Sequence, residues 1–243
     1  MTGADLAPVA FARLVAPAVD RAFRSAMARA RPHAAELVAR YCPDRPPGPL
    51  VEFRTALGWP GRAVTTTQAA AVLRYRDLAG FRAEVEAHPL LAVDAADAFR
   101  ATDTGHEFLL GLLRVQGEVL GEAWRAQADR VNRLVHTLGR LLSAAAETGG
   151  EAFAAMAPPY EPPGVPDAAV LLNRLGTLRY HRADAHAAAW QAAGFTAAGI
   201  RAEPPGRRRD AVEAETDRGA APPYAVLDEG ERLAFLADLA ALP

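Results

Sequence analysis

TTTQAAAVLRYRDLAGFRAEVEAHPLLAVDAADAFRATDTG, residues 65–105, carries a dense series of helix and strand signals. Thr65 and Gln68 stand three apart ahead of Ala69 to Arg74. A threonine oxygen there can accept from the third helical amide while the glutamine reaches back, so this capping box predicts a short helix. A second helical run spans Leu78 to His88. Pro89-Leu-Leu-Ala-Val93 and Asp94 to Arg100 then read as short strands, and Thr102-Asp-Thr-Gly105 as the capped start of another helix. Helix, turn, helix, short strands and a capped helix is the order of a winged-helix unit with a small β wing. The expected fold is mainly α: N-terminal helices over residues 1–49, the winged-helix-like unit over 50–105, and a helical bundle over 106–243.

On the N-terminal side, Ala7 to Arg31 carries Val9, Leu14, Val15, Val19, Phe23 and Met27 at helical spacing, with Pro17 either kinking one helix or separating two. Pro32 opens a second helix through Ala39, and Pro43 to Pro49 forms a corner. On the C-terminal side, an apolar stripe from Phe108 to Leu141 predicts one long helix or two joined near Gln127, ending at Gly149-Gly150. A helix near forty residues needs a partner along its length, which implies an antiparallel neighbour or a homodimer interface. After the proline-rich segment 157–166, Asp167 is placed to cap a helix that runs to Gly194. Thr196 opens a short helix, another passes through Thr216-Asp217-Arg218, and Asp228 with Glu231 caps a last one over Arg232 to Leu242.

All 27 basic residues are arginine, which removes Schiff-base chemistry and any lysine-dependent phosphate loop. A net charge of −2 provides no global pull toward nucleic acid or an anionic membrane. The face of the second helix, with Arg82 beside Glu84 and Glu86, is a poor reader of DNA; Arg62, Arg74 and Arg76 leave some basic character nearby. Arg207 to Arg209 reads as a solvated charge run. Cys42 is the single cysteine, so no intrachain disulfide can form, and a buried, inert thiol is expected. No run of about 18 apolar residues suggests a membrane span, and the expected setting is cytoplasmic.

Candidate functional residues are concentrated in Leu171 to Trp190, where Arg179, Tyr180, His181, Arg182, Asp184 and His186 crowd an otherwise apolar, alanine-rich helix. On a helix Arg179, Arg182 and His186 share one face, while His181 shares another with Asp184 and Thr177. The two histidines, five apart, lack the spacing of a helical two-histidine metal site, so no metal ligand is assigned. Arg182 interrupts the seam Leu171, Leu175, Leu178, Ala185, Ala189, and a charge at that position requires a partner. Glu107, Glu118, Glu161, Glu215 or an anionic ligand are the candidates, and an interior salt bridge would tie this helix to the long one and to the Glu213–Asp217 helix. Asp184 one turn from His181 can orient its imidazole. His181, Asp184 and His186 are therefore the candidate catalytic residues, and Arg179, Tyr180, Arg182 and Glu107 the candidate ligand-binding ones. Glu107 joins them only if its helix packs against this one.

Leu178-Arg-Tyr-His-Arg-Ala-Asp-Ala-His186, the trailing Ala192-Ala-Gly-Phe-Thr196 and Glu213-Ala-Glu-Thr-Asp-Arg218 resemble the actinobacterial SalK-like helix-turn-helix proteins. Their pattern is a Leu-Arg-x-His-Arg-x-Asp-x-His segment, an Ala-Ala-Gly-Leu segment and a Glu-x-x-Thr-Asp helix. Those proteins carry the winged helix between the first and last elements. Here only the 26 residues Ala187 to Val212 intervene, so any winged helix must precede the first element. The resemblance implies a protein associated with biosynthetic clusters, and no established catalytic mechanism. Three functions are compatible with these features. The first is a small-molecule-binding protein on a winged-helix scaffold, a ligand-responsive transcriptional regulator whose arginines and histidines hold an anionic metabolite. The second is a biosynthetic enzyme using the same pocket for acid–base, haem or metal-assisted chemistry. The third is a structural dimer with a buried ion-pair network. The sequence names no cofactor.

Overall fold

The computed structural model describes residues 6–243, so the first five residues of the expected N-terminal segment lie outside the described residues. Helix α1 (Pro8–Ala30) runs through Pro17 without a break, and a 3-10 turn leads into α2 (Ala35–Tyr41). Two short helices follow the proline corner, α3 (Gly48–Glu52) and α4 (Arg54–Leu57). The capping box forms at Thr65, whose Oγ1 accepts from the Gln68 amide while Gln68 accepts from the Thr65 amide, and opens α5 (Thr66–Val72). Asp77 caps α6 (Leu78–Glu86) through the amides of Ala79 and Gly80.

Strand β1 (Leu91–Val93) pairs antiparallel with β2 (Phe99–Ala101), Leu91 opposite Ala101 and Val93 opposite Phe99. Asp94 to Ala98 is the turn between them rather than strand: Asp94 accepts from the amides of Ala96 and Ala98, and Asp97 takes φ 63°. Val64 bridges to Phe99, placing the chain ahead of α5 beside the hairpin.

The long helical stretch divides at Trp124 into α7 (Asp103–Ala123), capped by Thr102, and α8 (Ala128–Ala145). The short α9 (Glu151–Met156) precedes α10 (Asp167–Ala192). Asp167 does not cap α10, as its spacing suggests; the helix starts at Asp167 itself behind Pro166, with no side-chain cap. Gly194, at φ 78°, supplies the left-handed turn that stops it. Helices α11 (Ala197–Ala202), capped by Thr196, α12 (Arg207–Ala220) and α13 (Glu229–Ala240), opened by the Asp228/Glu231 box, complete the chain.

Helix α10 is the hub: α1, α7, α8, α9 and α12 all pack on it. Its first half, as far as Leu178, is buried nearly all round, and apart from Asp167, Asn173 and Arg174 it is small or apolar. The partner that α7 and α8 need along their length is thus α10 of the same chain, and no second copy is required to supply it. One apolar core joins α1, α8, α10 and α13 through Phe11, Leu134, Leu138, Leu171, Leu175 and Phe235. A second surrounds the rings of Phe53, Phe81 and Phe99, with centroids 5.2 to 5.8 Å apart. It continues past residue 105 into Phe108, Leu109 and Leu112 of α7 and Ala155 and Met156 of α9. Cys42 is buried, and burial raises its thiol pKa, as suits an inert side chain. Among the described residues, no helix is long and apolar enough to cross a membrane.

Candidate functional site

Arg179, Arg182 and His186, the shared face expected from the spacing, line a cleft of about 380 Å³ between α1, α10 and α12, with Asp20, Glu213 and Tyr224 around them. Arg179 is clamped by Asp20, whose Oδ1 lies 2.9 Å from Nε and 2.7 Å from Nη2, and its guanidinium sits 4.3 Å above the Phe23 ring centre. Asp20 is 159 residues away in sequence and offers no local signal.

Arg182 finds its counter-charge in α12. Its Nη2 is 2.8 Å from Asp217 Oδ1 and 3.6 Å from Glu213 Oε2. None of the four named glutamates supplies it, whereas the expected tie to the Glu213–Asp217 helix forms. Glu161 pairs with Arg174, Glu215 with Arg218, and Glu118 is exposed. Glu107 meets Tyr41 Oη at 3.4 Å and lines no part of the cleft. The Arg182–Asp217 contact is electrostatic rather than a directed hydrogen bond. Arg182 Nη1 and Asp217 Oδ1 are both buried without a hydrogen-bond partner.

His186 belongs to a chain of polar contacts. Trp190 Nε1 donates to Tyr75 Oη at 3.1 Å, and Tyr75 Oη lies 3.1 Å from His186 Nδ1. With the hydroxyl proton turned to Nδ1, the neutral ring carries its own proton on Nε2, which faces Glu213 Oε1 at 3.6 Å. Burial holds His186 below the ordinary imidazole pKa; Glu213 opposes the shift, while Arg182, Arg209 and Arg74 reinforce it. His186 is therefore neutral at neutral pH, and in that tautomer it is a donor into the cleft. Sequence reasoning misses Tyr75 and the contact it makes with Trp190, because Tyr75 comes from the distant α5–α6 turn.

His181 points elsewhere. Its Nε2 is 2.9 Å from Thr148 Oγ1 and its ring meets Phe153 edge-on at 5.7 Å. Burial lowers its pKa, and the charge of Asp184 offsets that only in part. Asp184 is not a dedicated orienter of His181. It binds Arg74 Nη2 at 2.5 Å and accepts from the amides of Ala152 and Phe153 at 3.3 and 2.8 Å, serving as the N-terminal cap of α9. Gly150 makes room for that approach, since a Cβ there would stand 2.9 Å from the carboxylate carbon. Tyr180 donates to Glu52 Oε1 at 2.6 Å on another flank of α10, and burial drives its phenol pKa far above the usual range. The ionisable knot of α10 is thus distributed around the helix: Arg179, Arg182 and His186 converge, whereas His181, Asp184 and Tyr180 do not join them.

Among the described residues, no group of three His, Cys, Asp or Glu side chains is arranged to hold a metal ion. No protein-family model, curated protein or solved structure matches the chain.

Proposed function

We propose that the protein binds an anionic small molecule in the α1/α10/α12 cleft, on a scaffold that includes a winged-helix-like unit. One observation carries this reading. The Glu213 carboxylate reaches toward Arg182 with one oxygen and toward His186 with the other, each at 3.6 Å, too far for a hydrogen bond. Glu213 is 46% exposed on a surface helix, so an incoming carboxylate or phosphate can displace it and close both distances. The buried Arg182 Nη1 and the His186 Nε2–H are donors suited to such a group.

Helices α5 and α6 and the β1–β2 hairpin in that order, with the Val64 bridge to Phe99, support the winged-helix part of the reading. The charges of the unit argue for ligand binding over DNA reading. Arg82, on α6, is held by Glu86 and by both oxygens of Asp97. Arg62 turns inward to the carbonyls at the end of α9, and Arg74 to Asp184. A ligand-responsive regulator acting in the cytoplasm fits this reading only if DNA contact comes from other surfaces. Catalysis by a His181–Asp184 pair is not favoured, since Asp184 is committed to Arg74 and α9.

Native mass spectrometry of the protein purified from an actinobacterial host, beside an Arg182→Gln, His186→Gln variant, tests the proposal. A co-purifying anionic molecule lost from the variant supports it. An apo mass for both, with no thermal stabilisation of the wild type by organic acids or phosphate esters that the variant lacks, overturns it.

A further inference from the structure

On the other side of Arg179 lies a second cleft of about 380 Å³, walled by Phe23, Met27, Val51, Glu52, Arg54 and Tyr180. It is separate from the Arg182 cleft, and a site within it does not depend on the function proposed there. At its floor Arg54 donates from Nη1 to the Val51 carbonyl at 3.1 Å, with its guanidinium 5.5 Å from the Phe23 ring centre. Its Nε and Nη2 are buried and have no hydrogen-bond partner. Among the described residues, no carboxylate forms an ion pair with it.

This chain shows twice what that edge of a guanidinium takes. Arg174 grips Glu161 through Nε and Nη2 at 2.8 and 2.6 Å, and Arg133 grips Asp238 through the same two atoms at 2.9 and 2.7 Å. The parallel N–H pair matches the two oxygens of a carboxylate. Arg54 holds the same fork in a buried position beside Gly176, with no acid within ion-pair distance. Burial pulls the Arg54 guanidinium below its ordinary pKa, and the nearby Tyr180 and Glu52 oppose that only in part.

We infer that Arg54 anchors a second binding site, which takes the carboxylate of a small organic monoacid while Phe23, Met27 and Val51 cover its apolar body. The neighbouring charges set the class. Glu52, accepting from Tyr180 at 2.6 Å, keeps one negative charge in the cleft wall, and Asp20 is shared between Arg179 and the lining Arg24. Arg24, Arg54 and Arg179 against Asp20 and Glu52 leave one net positive charge, which suits a monocarboxylate and not a phosphate dianion. Behind Arg54 a void of about 10 Å³ adjoins Gln116 Oε1 and Asn173 Oδ1, buried acceptors without donors. A water molecule there offers hydrogen bonds and no charge, so it leaves the cation unneutralised.

The test is calorimetric titration of the full chain with aliphatic and aromatic monocarboxylates from acetate to benzoate, and separately with inorganic phosphate. Wild type is compared with Arg54→Met, Glu52→Gln and Arg182→Gln. The expected result is monocarboxylate binding that survives Arg182→Gln and that, in the Arg182→Gln background, weakens about ten- to a hundredfold on adding Arg54→Met and is not reproduced by phosphate. Arg54→Met should fold, because an apolar side chain of similar length relieves the unpaired charge. Should it not fold, Glu52→Gln decides: about three- to tenfold tighter binding supports the site, because a repelling charge is gone, and unchanged binding overturns it. No monocarboxylate binding to the wild type, equal binding by Arg54→Met, or loss in Arg182→Gln alone also overturns it.

Discussion

Replacing Asp184 by alanine removes two things at once, and the structure allows each to be sized. Asp184 and Arg74 are 12% and 10% exposed at the side chain, with 2.5 Å between Oδ1 and Nη2. Arg74 also donates to the carbonyls of Ala183 and Ala71, at 2.5 and 2.6 Å, so it cannot swing out to water without losing them. A buried cation stripped of its partner costs about 3 kcal/mol. The amides of Ala152 and Phe153 lose their acceptor as well, a cap worth about 1 kcal/mol. Asp184→Ala should therefore destabilise the protein by about 4 kcal/mol in urea denaturation followed by circular dichroism. A double-mutant cycle with Arg74→Met isolates the ion pair and should return about 2 kcal/mol of coupling. A loss below about 1 kcal/mol, the range of exposed pairs, together with zero coupling, would refute the assignment of Asp184 to a structural anchor.

Three further outcomes are expected. His88, His181 and His186 all sit below the ordinary imidazole pKa of 6.5, chiefly through burial, so below that pH the unfolded chain binds more protons than the folded one. Stability is then full above pH 6.5 and falls as the pH drops toward the folded-state values, by up to about 1.4 kcal/mol per pH unit per histidine; flat denaturation midpoints between about pH 7.5 and 5.5 would contradict this. Arg182→Ala leaves Asp217, 9% exposed, without its nearest cation, but Arg182 is itself 29% exposed. The loss should be about 2 kcal/mol, less than for a fully buried pair, and an unchanged melting temperature would count against it. Tyr75→Phe removes the donor to His186 Nδ1, so nitrogen-15 spectra should show the neutral ring leaving the Nε2–H tautomer; an unaltered tautomer would break the proposed contact chain.

What is legible in the sequence is local. The Thr65/Gln68 and Asp228/Glu231 boxes and the Thr102 and Thr196 caps are written within four residues, and each forms. The convergence of Arg179, Arg182 and His186 follows from helical spacing alone. Arg182 is visible as an interruption of a leucine seam, but its partner depends on the rotation of α12, which tertiary packing decides. Glu213 and Asp217 at least lie within the motif-like run Glu213 to Arg218, whereas Asp20 and Tyr75 have no sequence proximity to announce them. Arg54 is invisible for the opposite reason: a lone arginine beside Glu52 looks like a solvated helix surface until the fold closes over it.

Helix α9 has six residues, too few to persist alone in water. Asp184 of α10 holds its first amides, and Arg62 holds the carbonyls of Ala154, Ala155 and Ala157 at its far end. Asp184 in turn grips Arg74, just past α5. A segment that owns neither of its ends has no private melting transition. Its amide protons should exchange with solvent only when the hairpin side and the α10 side open together, making this short helix a reporter of whether the two cores unfold as one unit.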